Sequence, residues 1–433
     1  MDLPSLARRI ARQYRAEVLE VVQDLVRIPS ENTPPTGDEK ACQEYIADYL
    51  GHAGLAVDRY EPDQVAGLVA HGSYWPGRDY RGRENVASVL PGTGGGRSLL
   101  LTGHIDTVAL GENAWSKPPF GAEIHHGRLY GLGSLDMKGA LGAMLVLYKA
   151  IAEQGLRLSG TLSFESVVDE EEAGVNSTIA GRLRHGPVDG AVIPEVTDLA
   201  IYPAARGALL CDVVCSSAEP AWLEVGTTTH EPADVVRQMG LLLVELDALR
   251  AQRRAQPVPP LYRGYPDPTP VQVTKVYAGG WGSQVPIAVP TEGRMELILQ
   301  ALPGEPRDKV LAELENWLQE TVERHADAFA TRPQIRFRRR WMVPTAMDSQ
   351  HPLVATLVDA VQELTGRRPT IAGAPYPCDL FALQQLFNIP ALIFGPAGAN
   401  AHAGDEYVEL ESLHAFYESL LLFVMKWCGW QPS

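Results

Sequence analysis

The stretch LLLTGHIDTV closes an apolar run with His104 and Asp106, which have one residue between them and so lie on the same side of an extended backbone. There Asp106 can accept a hydrogen bond from one imidazole nitrogen and leave the other free for a metal ion. Four further places carry related chemistry. GLGSLDMKGA puts Asp136 in a Gly-rich turn entering a helix, and TLSFESVVDEEEAG delivers Asp169, Glu170, Glu171 and Glu172 in succession. AVIPE ends in Glu195, and GPAGANAHAGDE holds His402. Singly, each has a plainer reading: a loop histidine, a helix N-cap aspartate, a solvated turn glutamate. Together they set two histidines and several carboxylates just beyond apolar strands. Four adjacent acids repel one another, and divalent cations would relieve that repulsion. Two histidines with carboxylates and no thiolate suit Zn²⁺, Mn²⁺ or Co²⁺. One carboxylate more than the ions need can act as a base.

The elements that must position these residues alternate. Val18, Leu19, Val21, Val22, Leu25 and Val26 recur at helical spacing within 13–27, and PSENTPP ends that helix. A second helix is predicted over 39–50, with Gly51 and Gly54 past its end. ENVASVLPG and SLLLTGHID read as strands, DMKGALGAMLVLYKAIAEQG as a helix, and TLSFESVV and VDGAVIPE as strands. That rhythm predicts an α/β sheet with covered faces, and ligands of such sheets gather beyond the carboxyl ends of the strands. From about residue 208 the texture changes: the strand ALLCDVVCS, the helix ADVVRQMGLLLVELDALRAQ, a Pro-rich connection, strands VQVTKVYA and TEGRMELILQAL, and the helix DKVLAELENWLQETVERHA. After about 342 the first pattern returns with PLVATLVDAVQEL, DLFALQQLF, IPALIFG and LESLHAFYESLLLFVMKW. The predicted fold is α/β. A catalytic domain over 1–207 and 343–433, with a mixed central sheet flanked by helices, is interrupted by a smaller α+β domain over 208–342.

Charge and composition narrow the partners. Against 53 acidic residues stand 37 basic ones, a formal net charge of −16, which argues against nucleic acid or an anionic membrane as the main partner. The one basic run, IRFRRRW, alternates with apolar residues and reads as a strand with a solvated edge or salt bridges. Cys42, Cys211, Cys215, Cys378 and Cys428 form no CxxC pair, so neither a disulfide framework nor a thiolate metal site is expected. The N-terminal segment has no apolar h-region, and no run of about 18 apolar residues occurs. A cytoplasmic protein is the expectation.

GHIDTV, GLGSLDMKGALGAM, VVDEEEAG, IPEVTDLAI and FGPAGANAHAGDEYVEL, in that order, resemble the successive signature blocks of the M20 metallopeptidases, which include acetylornithine deacetylase, succinyl-diaminopimelate desuccinylase, aminoacylases and glutamate carboxypeptidases. GGWGSQVPIAVPTEGRMELILQALPGE further resembles the lid of the acetylornithine-deacetylase-like branch. The resemblance implies two divalent metal ions per chain: one completed by His104 and Glu195, the other by Glu171 and His402, with Asp136 bridging both. It implies Glu170 as the general base, Asp106 as the residue that orients His104, and a homodimer through the inserted domain, with a monomer the alternative. The implied activity is hydrolysis of an amide or related C–N bond in a small carboxylate-bearing molecule such as an N-acyl amino acid. A dipeptidase or carboxypeptidase, or a hydrolase of an unusual, non-peptide and even aromatic amine, is the alternative. A non-catalytic metal-binding protein on the same fold is the rival, which Glu170 disfavours.

The inserted domain departs from the family's pattern. Where a strand, Ala-His and a Ser/Pro-rich loop are usual, this chain has VVCSSAEPAWLEVGTTTHEPADVV, with His230 displaced to just before the helix. His230 is either the family's oxyanion-supporting histidine from a new position or a local helix-start residue. Arg294, in TEGRMEL, matches a lid arginine that binds substrate carboxylate in relatives; its plainer reading is a strand arginine paired with a neighbouring glutamate. Arg206 at the entry to that domain reads as a hinge element or a substrate contact. Asp379 in YPCDLFAL matches an acid common in the family and reads as a supporting or structural residue.

Overall fold

The computed structural model describes residues 2–217, 234–280, 285, 288–329 and 331–431. Its strands, in chain order, include Asp58–Tyr60 (β1), Asn85–Leu90 (β2), Leu99–His104 (β3), Leu162–Val167 (β4), Ala191–Ile193 (β5), Ile201–Ala205 (β6), Gly207–Ser216 (β7), Val271–Ala278 (β8), Glu292–Ala301 (β9), Gln334–Phe337 (β10) and Ala391–Ile393 (β11). The helices are Leu3–Arg27 (α1), Lys40–His52 (α2), Lys138–Glu153 (α3), Asn176–His185 (α4), Val235–Arg254 (α5), Arg307–Arg324 (α6), Pro352–Thr365 (α7) and Leu410–Cys428 (α8). The chain forms two compact units, Met1–Ala204 with Ala346–Ala374 and Cys378–Ser433, and Ala205–Thr345 with Pro375–Pro377.

The first unit is α/β around a mixed sheet that runs β6-β11-β5-β3-β4-β2-β1, with Thr345–Ala346 and Ile371–Ala374 pairing beside β6. β11, β5, β3 and β4 are mutually parallel, so their carboxyl ends share one edge. β2 adds antiparallel to β4, and β1 antiparallel to β2. All six residues of β3 are buried, as a parallel strand covered on both faces requires. The core joins the sheet to α1, α2, α3, α7 and α8. Helix α1 begins ten residues before the predicted helix over 13–27. Asp2 caps it, its carboxylate accepting from the Ser5 N–H at 2.8 Å. Leu6, Ala7, Ile10, Ala11 and Tyr14 extend the buried face of Val18 to Val26 backward through the arginine-rich stretch.

Helix α4, directly after the acidic run, was not predicted. Asn176, Ser177, Thr178 and Gly181 are indifferent helix formers, and burial of Asn176 through Arg182 is what holds them helical.

The second unit is an antiparallel sheet in the order β8-β9-β7-β10. One face packs on α5 and α6 through Leu209, Cys211, Val213, Met295, Leu297 and Leu299 against Met239, Leu242, Leu246, Leu314 and Trp317. Strict alternation along β9 buries every second residue and turns Arg294 and Glu296 to the other face. The basic run supplies the edge strand β10, and Arg338 after it pairs with Asp212. Among the described residues no helix is long and apolar enough to cross a membrane.

Leu101 sits fully buried at the centre of β3, the strand that ends in His104. Leu101→Ala should lower the unfolding free energy by about 2–5 kcal/mol, read from urea denaturation; a change below 1 kcal/mol would mean the strand is not packed as described.

Candidate metal centre

Parallel strands deliver the reactive groups to one edge. β3 ends in His104 itself; β4 ends at Val167, and Glu195 stands two residues beyond β5. Asp169 adopts φ +65°, ending the extended backbone, so that Glu170 and Glu171 leave on a turn rather than on alternate faces of a strand. Asp136 lies in the Gly-rich turn before α3, and His402 in the loop after β11 with φ +61°.

These residues converge. His104 Nε2 lies 3.3 Å from Asp136 Oδ1 and 3.4 Å from Glu195 Oε1. His402 Nε2 lies 3.3 Å from Asp136 Oδ2 and 2.9 Å from Glu171 Oε2. Asp136 therefore stands between the two imidazoles, one carboxylate oxygen facing each. Donor atoms of His104, Asp136 and Glu171, and again of His104, Glu170 and Glu195, lie within 4.8 Å of one another. Glu170 thus joins the pool from the side of Glu195, while His402 approaches from the side of Glu171.

The donor set fits divalent cations. Two ligands about 2.0–2.1 Å from one tetrahedral ion stand about 3.3 Å apart. Three of the four histidine–carboxylate separations have that spacing, longer than the roughly 2.7–2.9 Å of a direct charge-assisted hydrogen bond. Asp136 Oδ1 is buried and makes no hydrogen bond among the described residues. Protonation follows the same pattern. Burial alone would lower the imidazoles, but Asp136 and Glu195 raise His104 well above its ordinary value, and Glu171 and Asp136 push His402 up to about 12. Burial and the Asp136 charge push Glu195 up to about 8. A cluster that takes up protons this strongly is one that seeks positive charge.

The four-acid run divides its work. Asp169 turns into the interior, where Tyr80 Oη and Asn32 Nδ2 donate to it at 2.6 and 3.1 Å, and where Arg78 and Arg83 lie 3.4 and 3.6 Å away. Arg78 Nη2 also donates to the Glu172 carbonyl at 2.8 Å. Glu170 and Glu171 alone turn to the histidines.

Asp106 differs from the sequence expectation in one respect. His104 Nδ1 faces the main-chain carbonyl of Asp106 at 3.0 Å, and the carboxylate stands farther off at 3.7 Å. The carboxylate is drawn away because its other oxygen accepts from Asn32 Nδ2 at 2.9 Å and from the Glu171 N–H at 3.0 Å. Asp106 so ties the imidazole through its carbonyl and the acidic turn through its side chain. Asn32, from the loop after α1, was missed in sequence; only its dual contact with Asp106 and Asp169 marks it. Asp379 is buried and accepts from the Thr178 hydroxyl of α4.

In the second unit, Arg294 donates to Glu292 at 2.9 Å, and Asp212 lies 4.0 Å away. Arg206 is held by Gln300 and by the carbonyls of Pro375 and Asp267. His230 lies outside the described residues.

Residues 100–426, well over half of the chain, match the model of peptidase family M20/M25/M40. The chain belongs to that family. It is 24% identical to N-formyl-4-amino-5-aminomethyl-2-methylpyrimidine deformylase of Bacillus subtilis (strain 168), over 98% of this chain and 97% of that one. Succinyl-diaminopimelate desuccinylase of Maricaulis maris (strain MCS10) is 27% identical over 94% and 95%. Human carnosine dipeptidase 1 has the same fold, with a TM-score of 0.74, 15% identity, and coverage of 99% of this chain and 100% of that chain. As an M20 member with such relatives, the protein is a metallohydrolase acting on C–N bonds.

Asn32 bridges two buried carboxylates, so replacing it leaves both a donor short. Asn32→Ala should cost about 1–3 kcal/mol of stability, and Asn32→Asp, which adds a third acid, should cost more. Chemical denaturation of the two variants would check the order; equal stabilities would show that a third acid at this position costs nothing beyond the lost donor.

Proposed function

We propose that the first unit hydrolyses the amide bond of a small N-acyl compound at two divalent cations, one held by His104, Asp136 and Glu195, the other by Asp136, Glu171 and His402. The placement of Asp136, 3.3 Å from each imidazole through different oxygens, carries this reading. Bound there, the cations supply polarisation of the scissile carbonyl and acidify the attacking water. Zn²⁺ suits a set of histidines and carboxylates, with Mn²⁺ or Co²⁺ the alternatives.

The chain's own residues do the rest. Glu170 belongs to the same pool but is not needed as a ligand, and it takes the proton from the attacking water. It then gives that proton to the leaving nitrogen, so the products are a free amine and a carboxylate. Burial first, and then the charges of Glu195, Asp379 and Glu171, hold its carboxyl well above the usual range despite the opposing His104. That suits a group that must both accept and return a proton. Asp106 fixes the His104 ring through its carbonyl, leaving Nε2 turned towards Asp136 and Glu195.

Two substrate readings follow. An N-acyl amino acid would present a carboxylate to Arg294. An N-formylated heteroaromatic amine is favoured by the names of two relatives, the Bacillus subtilis deformylase and its counterpart in Halalkalibacterium halodurans, 27% identical. It is favoured also by Arg294 being engaged with Glu292. A homodimer through the second unit is supported by the edge strand β8, whose Val276 and Tyr277 are half-exposed.

Three experiments test this. Glu170→Gln should keep about two metal ions per chain by elemental analysis and lose about 10²–10⁴ in kcat; turnover at the original rate would remove Glu170 from the mechanism. A panel of N-acyl amino acids, dipeptides and N-formyl aminopyrimidines, run with Zn²⁺-, Mn²⁺- and Co²⁺-loaded protein, separates the substrate readings. Arg294→Ala should raise KM at least tenfold for carboxylate-bearing substrates only, and an unchanged KM would exclude Arg294 as their reader.

A further inference from the structure

Glu406 is almost fully buried, four residues after His402. Its carboxylate makes no ion pair among the described contacts. Instead it accepts three main-chain N–H bonds from one turn: Gly133 at 2.9 Å on one oxygen, and Leu135 at 2.8 Å and Asp136 at 3.0 Å on the other. Its own carbonyl accepts from the Gly131 N–H of the same turn at 3.0 Å. Four amides of the six-residue stretch from Gly131 to Asp136 are thus clasped from a single position.

The turn needs an external clasp. Gly131 and Gly133 have φ of +154° and +78°, and Gly133 has Thr107 and Lys138 side-chain atoms where a Cβ would stand, so the backbone is bent into a shape few residues tolerate. Its amides point inward, away from water, and would be orphaned without an acceptor. A carboxylate buried at that point is costly unless several donors meet it, and three do. Beyond the clasp the chain enters α3, where Lys138 donates to the Leu25 and Ile28 carbonyls at the end of α1 at 3.0 and 2.6 Å. Asp136 is therefore held on both sides, by Glu406 before it and Lys138 after it.

We infer that Glu406 is a positioning residue that couples the Asp136 turn to the His402 loop, and that it sets the affinity for the cation shared by Asp136, Glu171 and His402. The inference rests on the two-cation reading above. Glu406 touches neither substrate nor reacting atoms. It fixes the main chain of one ligand from a residue four positions along from another, so the 3.3 Å approach of His402 to Asp136 follows from one set of bonds. Outer partners of this kind typically tune metal affinity by about 10–100-fold.

The test compares wild type, Glu406→Gln and Glu406→Asp in three readouts: metal per chain with Zn²⁺ titrated against a competing chelator, amide hydrogen exchange of metal-free protein, and kcat and KM as functions of added Zn²⁺. Expected is a roughly 10–100-fold weaker second Zn²⁺ in Glu406→Gln, with faster exchange at Gly133, Leu135 and Asp136. Its kcat should recover as Zn²⁺ is raised, while the KM for substrate stays near that of wild type. A merely structural role would not give rescue by metal. Folded variants that bind two Zn²⁺ as tightly as wild type would overturn the inference while leaving the two-cation reading intact. Failure of both variants to fold would make Glu406 a folding residue and overturn it likewise. Wild-type protein that takes up no Zn²⁺ would overturn the two-cation reading and this inference with it.

Discussion

Asp106, Asp136, Glu170, Glu171 and Glu195 are largely withdrawn from water at one edge of a parallel sheet, with Asp169 just behind them. Two like charges 4 Å apart repel by about 4 kcal/mol at an effective dielectric of about 20, and several such pairs exceed the whole stability of an ordinary domain. The rest of the first unit is arranged around that constraint. Positive charge comes from the protein where the carboxylate is structural, as with Arg78 and Arg83 at Asp169. Glu39 at the start of α2 is met in the same way by Arg83. Where the carboxylates face the histidines, no arginine or lysine of the described residues pairs with them, and the only side chains there able to carry positive charge are the two imidazoles.

Neutral donors do as much as charged ones. Asn32 and the Glu171 N–H hold Asp106, Asn32 and Tyr80 hold Asp169, and a run of main-chain amides holds Glu406. Each bond fixes an acid without cancelling its charge, so the negative field at the sheet edge survives folding. A protein that neutralised every acid with arginine would be more comfortable in isolation and would have nothing left to offer a cation.

Much of this was legible in the sequence, because period and spacing place a residue after a strand whatever the strand packs against. His104, Glu170, Glu171 and Glu195 could be set at one edge from three apolar runs, and the α/β fold from their alternation with helices. What escaped depends on contacts between distant segments. Nothing in SENTPP marks Asn32 until Asp106 and Asp169 meet it. The choice of carbonyl over carboxylate opposite His104 is made by those competing donors. Helix α4 is helical because it is buried, and the first turns of α1 were hidden by arginines on the opposite face from Leu6 and Ile10.

The two units differ in how the chain supplies them. The second is built almost wholly from one continuous stretch, Ala205–Thr345, with Pro375–Pro377 added, so nearly all its strands and both its helices exist once that stretch has been made. The first draws its core from both sides of that stretch: α1 packs among residues of α7 and α8, and β11 is needed to complete the parallel edge beside β5. During synthesis, domains fold as units roughly in the order they emerge. Here that order is inverted. The α1–β5 half can cover part of α1 with α3, where Gly142 meets Val21, Val22 and Leu25, but it lacks α7, α8 and β11 until the later stretch has been made. The interval over which the first unit stays incomplete is therefore set by the length of chain between β5 and α8, not by the size of either core.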